Sequence, residues 1–256
     1  MDFLDQLGNT VRLSEYPKRI ISLVPSQTEL LFYLGLDAEI VGVTRYCVLP
    51  EDKVGNRAIV GGTKQFNFPI IDELRPDLII GNKEENYREG IERLQEKYPV
   101  WMSDIMTIES ALQMIKSVGK LINRYKNAER LVDEIRTGLN RLEFCSPLKA
   151  AYLIWKNPYM VAAGNTFINE MLRKCGFINI FGSKNGYPKI ALDELDEAEV
   201  ILLSSEPYLF VGEDIENLGK RFPAQRVRFV DGAMFSWYGS RLRHAAVYFR
   251  VLRESL

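Results

Sequence analysis

The chain changes its hydrophobic period once and then changes back, and this constrains the fold more than any single motif. From Thr107 to Phe144 there is no proline and no strand-like run. Ile108, Leu112, Ile115, Val118 and Ile122 fall at helical spacing, and a second stripe runs through Ala128, Leu131, Ile135, Leu139 and Leu142. Gly119 and the polar stretch Asn123–Asn127 leave open whether this is one helix or two, and Cys145-Ser-Pro147 ends it. On the N-terminal side, short apolar runs alternate with helical patterns. Ile20–Val24, Ile40–Thr44, Ala58–Val60, Asp77–Gly81 and Val100–Asp104 read as strands, and Thr28–Leu34, Phe68–Leu74 and Asn86–Lys97 as helices. On the C-terminal side the alternation resumes with strands at Ala150–Trp155, Tyr159–Ala163, Val200–Ser204 and Val227–Val230, and helices at Phe167–Cys175 and Arg241–Glu254. The pattern predicts an α/β protein of two Rossmann-like lobes joined by a long helical segment. The lobes span 1–105 and 146–256, and 106–145 form a linking helix or helix pair.

The first strand-turn-helix block has a readable local logic. Ile20–Val24 is a buried parallel strand, Pro25 ends it, and Ser26 with Glu29 three residues on makes a capping-box pattern. Leu30, Leu31 and Leu34 form the helix stripe and Gly35 stops it, leaving backbone N–H groups free at the helix N-terminus. Ahead of the block, Asp5 to Leu13 reads as a small hairpin around Gly8-Asn9.

Composition excludes several functions. A net charge of −1 and a pI near 6.1 argue against nucleic-acid binding, and no apolar run is long enough for a membrane span. Cys47, Cys145 and Cys175 are odd in number and widely spaced, implying neither a disulfide framework nor a zinc site. With His244 as the single histidine and no GxSxG or P-loop, a Ser-His-Asp or Cys-His mechanism has little to work with.

The opening block, together with Gly42-Val-Thr-Arg-Tyr46, Arg75-Pro-Asp-Leu-Ile-Ile80 and Gly164-Asn-Thr-Phe-Ile-Asn-Glu-Met-Leu172, resembles the helical-backbone (class III) substrate-binding proteins of ABC importers. The cobalamin-binding branch is the most similar in these segments. The resemblance covers nearly the whole chain. It implies a ligand cleft between the lobes, only modest hinge motion, and a corrinoid or other metal chelate as ligand, with no resident cofactor specified. The residues before Arg19 carry Asp2, Asp5, Arg12, Glu15 and Lys18 and no apolar signal core. As written, a cytoplasmic protein is expected, or a periplasmic or cell-surface one if a signal segment is missing.

Residues following the strand ends are the candidate ligand contacts: Pro25, Ser26, Tyr46, Lys64, Glu85, Trp155, Tyr159, Glu206, Trp237, Tyr238 and Arg241. The resemblance places Tyr46 on a cleft-lining tyrosine. Gly62-Thr63-Lys64 and Asn82 stand where the family carries aromatic residues, so Trp155 and Trp237 are expected to supply that surface instead. Ser236, Gly239 and Ser240 give Trp237-Tyr238 the look of an exposed loop. Lys83-Glu84-Glu85-Asn86 reads as a helix N-terminus with Asn86 able to cap, or as part of a cation site completed by Glu206; no metal ligand set and no catalytic residue is assigned. The family's exposed docking glutamates are matched in the N-lobe only by Tyr87-Arg88-Glu89 and in the C-lobe by Ser236-Trp237, so docking on an ABC permease is not expected. Three readings follow: a non-catalytic binder of a small molecule, a cytoplasmic cofactor-salvage enzyme using the same cleft, or a truncated exported receptor. Binding is preferred over catalysis because the strand-end loops hold no nucleophile beside a base.

Overall fold

The computed structural model describes residues 1–223 and 226–256. They fall into two compact units. The first comprises Met1–Ile105, Glu109–Glu134 and Tyr238–Arg241, and the second Met106–Ile108, Ile135–Trp237 and Leu242–Leu256.

The first unit opens with the expected hairpin, β1 (Asp2–Leu4) antiparallel to β2 (Thr10–Arg12). Asp5 Oδ1 accepts from the N–H groups of Leu7 and Asn9 at 2.9 and 2.7 Å, and Gly8 supplies the left-handed residue at φ 88°. Next come β3 (Ile20–Ser22), α1 (Pro25–Tyr33), β4 (Ile40–Val43), α2 (Glu51–Val54) and β5 (Ala58–Ile59). A tight hairpin, β6 (Gly61–Gly62) with β7 (Gln65–Phe66), precedes α3 (Phe68–Leu74). β8 (Leu78–Asn82), α4 (Arg88–Gln95) and β9 (Val100–Ser103) complete a parallel sheet of order β5-β4-β3-β8-β9. β3 and β8 lie inside the sheet and are buried along their whole length, which is why Ile20-Ile21 and Leu78-Ile79-Ile80 read as continuous apolar runs rather than alternating ones. Ile21, Ile71, Ile79, Ile91 and Val100 belong to one core cluster between the strands and the helices.

The local reading of the first strand-turn-helix block is corrected here, and the choice between one linking helix and two is decided. Pro25 does not end the strand ahead of a Ser26 cap. It is the first residue of α1, where a missing N–H costs nothing, and Val24 is the N-cap without a side-chain bond. Ser26 is buried within the first turn, and Glu29, instead of closing a capping box, turns its carboxylate to Arg241. The Pro-free stretch forms two helices, α5 (Ile108–Leu121) and α6 (Tyr125–Asn140). They are separated at Asn123, whose φ of 55° is left-handed, and Gly119 packs where an added Cβ would lie 2.3 Å from Ala128 Cβ. No described helix is long and apolar enough to cross a membrane.

The second unit holds β10 (Leu148–Trp155), β11 (Met160–Val161), α7 (Phe167–Lys174), β12 (Phe177–Asn179) and β13 (Val200–Ser204). They are followed by α8 (Gly212–Arg221), β14 (Arg226–Val230), α9 (Ala233–Ser236) and α10 (Leu242–Glu254). β10, β13 and β14 run parallel in that order, β12 joins β10 in parallel, and β11 pairs with the far end of β10 antiparallel. Thr166 caps α7 by accepting from the Asn169 N–H, and the buried stripe Ile168, Met171, Leu172 and Cys175 is the one the spacing predicts.

Candidate functional site: the strand-end loops of each unit

In the first unit all five sheet strands point the same way, so the loops leaving their carboxyl ends gather along one edge, where open α/β sheets place ligands. Tyr46, just beyond β4, is 55% exposed. Its ring lies over Gly62, where an added Cβ would sit 3.2 Å from Cε2. A side chain at position 62 would therefore need the ring edge to give by a few tenths of an ångström. Gly61, at φ 105°, has no room for a Cβ at all, since one would meet Gln65 O at 2.3 Å. Gly62 thus presents bare backbone to one edge of an exposed aromatic ring, and Gly61 permits the tight hairpin that carries it. Arg45 and Lys64 are exposed beside it, with Lys64 Nζ donating to Glu84 O at 2.6 Å.

The loop from Lys83 to Asn86 is organised by two interior amides and not by a helix cap. Asn82 and Asn86 are 1% and 4% exposed. Asn82 Oδ1 accepts from the N–H groups of Glu84 and Glu85 at 2.8 and 3.0 Å, while its own N–H donates to Asn86 Oδ1 at 2.9 Å. Asn86 Nδ2 donates to Thr63 O and Leu23 O at 3.1 and 3.3 Å. The expectation that Asn86 caps the following helix is thereby corrected: Tyr87 is the N-cap of α4. Glu85 stays half-buried above this pair. Beneath the same loops, burial pushes the Cys47 thiol up, opposed by hydrogen bonds to the Thr28 and Thr44 hydroxyls; the Glu85 carboxylate adds to the upward push.

The segment Tyr238–Arg241 departs from its expected exposed character. Tyr238 is 5% and Ser240 4% exposed. Gly239 explains the burial: an added Cβ would lie 2.5 Å from Ser26 O and 3.3 Å from Leu30 Cβ, so the missing side chain lets this backbone press onto α1. Arg241 then grips Glu29 through a fork, Nε to Oε2 at 3.2 Å and Nη2 to Oε1 at 2.7 Å.

In the second unit, Trp155 ends β10 at 40% exposure, edge-on to Tyr208 with ring centroids 5.5 Å apart, and Tyr208 meets Phe210 at 4.9 Å. Leu209 and Val211 beside them are exposed. Tyr159 is half-buried, and its hydroxyl is pushed up by burial, against the pull of the nearby Lys156 ammonium. Lys156 is paired with the buried Asp214 carboxylate, which also accepts from the Val211 N–H at 2.8 Å. Burial works to raise the Asp214 pKa, but these hydrogen bonds and the Lys156 charge outweigh it and hold the group below its ordinary value. Glu206 Oε1 accepts from Ser236 Oγ and, at 3.1 Å, from Trp237 Nε1.

The candidate residues therefore divide between the units. Pro25, Ser26, Tyr46, Lys64, Glu85, Tyr238 and Arg241 stand in the first, and Trp155, Tyr159, Glu206 and Trp237 in the second. Sequence reasoning missed the roles of Asn82, Asn86 and Gly62. The one available signal was the i, i+4 asparagine pair following Gly81, at which a Cβ would fall 2.7 Å from Asn86 Oδ1. Among the described residues no group of three His, Cys, Asp or Glu side chains converges to hold a metal ion. His244 is exposed on α10, where its Nε2 accepts from Arg243 Nε at 3.0 Å.

Comparison with known proteins adds three likenesses and a family match. The profile of the periplasmic binding protein family matches residues 20–207. The vitamin B12-binding protein of Vibrio campbellii is 24% identical over 184 residues, which is 70% of this chain and 66% of that protein. The chain thus spans just under two thirds of that relative's length. A possible iron-binding (periplasmic solute-binding) protein from Staphylococcus epidermidis superposes with a TM-score of 0.78 at 23% identity, covering 94% of this chain and 98% of that one. A periplasmic heme binding protein from Pseudomonas aeruginosa gives 0.80 at 20% identity, with 92% of each chain covered.

Proposed function

We propose that this chain, which belongs to the periplasmic binding protein family, is a non-catalytic receptor for a flat, partly polar small molecule of the corrinoid or metal-chelate class. The observation that carries the reading is Tyr46: an aromatic face left exposed at the carboxyl edge of a parallel sheet and seated on Gly62. An exposed tyrosine ring offers large contact area at little entropic cost, which suits stacking on a conjugated ring. Arg45 and Lys64 are exposed in the same strand-end loops and Glu85 is half-buried in the next one, which suits polar substituents at a ligand's rim. Trp155, Tyr159 and Tyr208 offer a second aromatic surface of the same kind in the other unit. Names among the similar proteins, for vitamin B12, heme and iron, support the same ligand chemistry. In this reading Tyr238 and Arg241 serve the framework of the first unit, and Glu206 fixes Trp237 and Ser236.

Titration of cobalamin, cobinamide and haemin, followed by absorbance and tryptophan quenching, tests the proposal. At least one should bind with a Kd on the order of 10 µM or tighter, and Tyr46→Ala should weaken it by about tenfold, or ~1.4 kcal/mol. Failure of all three to bind at tens of micromolar would overturn the ligand class. Unchanged affinity in Tyr46→Ala would overturn the site.

A further inference from the structure

We infer that Asn82 and Asn86 are positioning residues that lock the two loops at the carboxyl edge of the first unit, 61–64 and 83–86, into one preorganised surface. The inference rests on the binding role proposed above. Three features carry it. First, the pair connects elements distant in sequence: Asn86 Nδ2 reaches Thr63 O in one loop and Leu23 O at the end of β3, while Asn82 Oδ1 holds the backbone of Glu84 and Glu85 in the other. Second, the pair is fixed from below. Asn82 Nδ2 donates to Ser103 Oγ at 3.0 Å, and that hydroxyl donates to Gly81 O at 3.2 Å and accepts from Gln27 Nε2, so β8, β9 and α1 all brace it. Third, the space is reserved for it, because a Cβ at Gly81 would lie 2.7 Å from Asn86 Oδ1.

The capacity of the two amides is spent almost wholly on these partners, and both side chains are closed to solvent. Neither can touch a ligand at the surface. They act on ligand binding by deciding where Thr63, Lys64, Glu84 and Glu85 stand before the ligand arrives. Lys64 Nζ on Glu84 O adds a second tie between the same loops from the solvent side. A loop pair held this way loses little freedom on binding, and ordering costs avoided in the free protein appear directly as affinity.

The test uses the full chain and reads loop order and affinity separately. Hydrogen exchange, resolved by residue, should quicken by about tenfold or more at the Glu84 and Glu85 amides in Asn82→Ala, with Ile79 and Ile80 in β8 staying protected. Asn82→Asp, which keeps an oxygen for those two N–H groups, should restore their protection. Asn86→Ala should free 61–64 and 83–86 together. Cobinamide or haemin, whichever the unaltered protein binds, should bind both alanine variants at least about tenfold more weakly at unchanged β8 protection. The proposal is overturned if the alanine variants leave exchange in both loops unchanged. It is equally overturned if the loops are freed and affinity is not reduced. If the unaltered protein binds none of the probes, the ligand reading fails on its own, and the exchange measurements still decide whether the amides hold the loops.

Discussion

The fork between Arg241 and Glu29 offers a prediction whose size follows from its geometry. The two side chains are 16% and 20% exposed and 212 residues apart in sequence, and both belong to the first unit. An exposed ion pair contributes ~0.2–1 kcal/mol, whereas removing one partner of a fully buried pair costs ~3–5 kcal/mol. Four-fifths burial and two charge-assisted hydrogen bonds place this pair between those limits, so Glu29→Gln should destabilise by about 2 kcal/mol. Arg241→Met keeps the aliphatic stem but removes every contact of the guanidinium, so it should cost at least as much. A double-mutant cycle cancels the contacts that do not involve Glu29 and should return a coupling of about 1–1.5 kcal/mol. Trp101, fully buried in β9, reports on this unit once Trp155 and Trp237 are replaced by phenylalanine, and urea unfolding followed at that tryptophan supplies the free energies. Raising salt from 0.1 to 1 M, about a threefold shortening of the Debye length, should reduce the coupling only modestly because the pair is shielded from water. A coupling below about 0.3 kcal/mol would refute the reasoning, since the pair would then behave as surface ornament despite its burial.

Two further outcomes are expected. Asp214 has its folded pKa below the ordinary carboxylate value, so its pairing with Lys156 stabilises the protein fully above the unfolded pKa of about 3.9 and is lost as pH falls through the lower folded value. Acid unfolding should therefore lose stability below about pH 4, and Asp214→Asn should flatten that limb of the stability–pH curve. Thiol labelling of the native protein should modify Cys145 alone, because Cys145 is exposed while Cys47 and Cys175 are buried and pushed up by desolvation; all three should react after denaturation.

Much of the architecture was legible because it is written in local pattern. Phe68–Leu74 and Val200–Ser204 have the bounds that the sequence predicts, one started by a proline at its second position and the other a pure apolar run. Elements with little apolar content were illegible. α8 carries only Ile215 and Leu218 as aliphatic anchors among charged residues, and β12 is three residues beside an already paired strand. Ser26 and Glu29 satisfy the local capping rule, yet a proline at the first helical position and an arginine 212 residues away overrule it. Tyr238 looked exposed because glycine and serine surround it, but the same glycine allows the backbone to close on α1. At the strand ends, Trp155 was named from its position and Tyr46 from position together with the resemblance, whereas the interior roles of Asn82 and Asn86 depend on hydrogen bonds that their i, i+4 spacing does not specify.

The interruption of the first unit by the second also sets a timetable for the newborn chain. All five strands of the first sheet have been made by Ser103, but the four residues that close over the first turn of α1, Tyr238–Arg241, are made only after β14 of the second unit. At ~5–20 residues per second, roughly 5–20 s separate the emergence of Glu134 from that of Arg241. During that interval Glu29 and the Ser26 carbonyl wait without their partner segment, and a nascent chain arrested before Tyr238 should present the α1 surface to proteases and chaperones that the finished protein denies them.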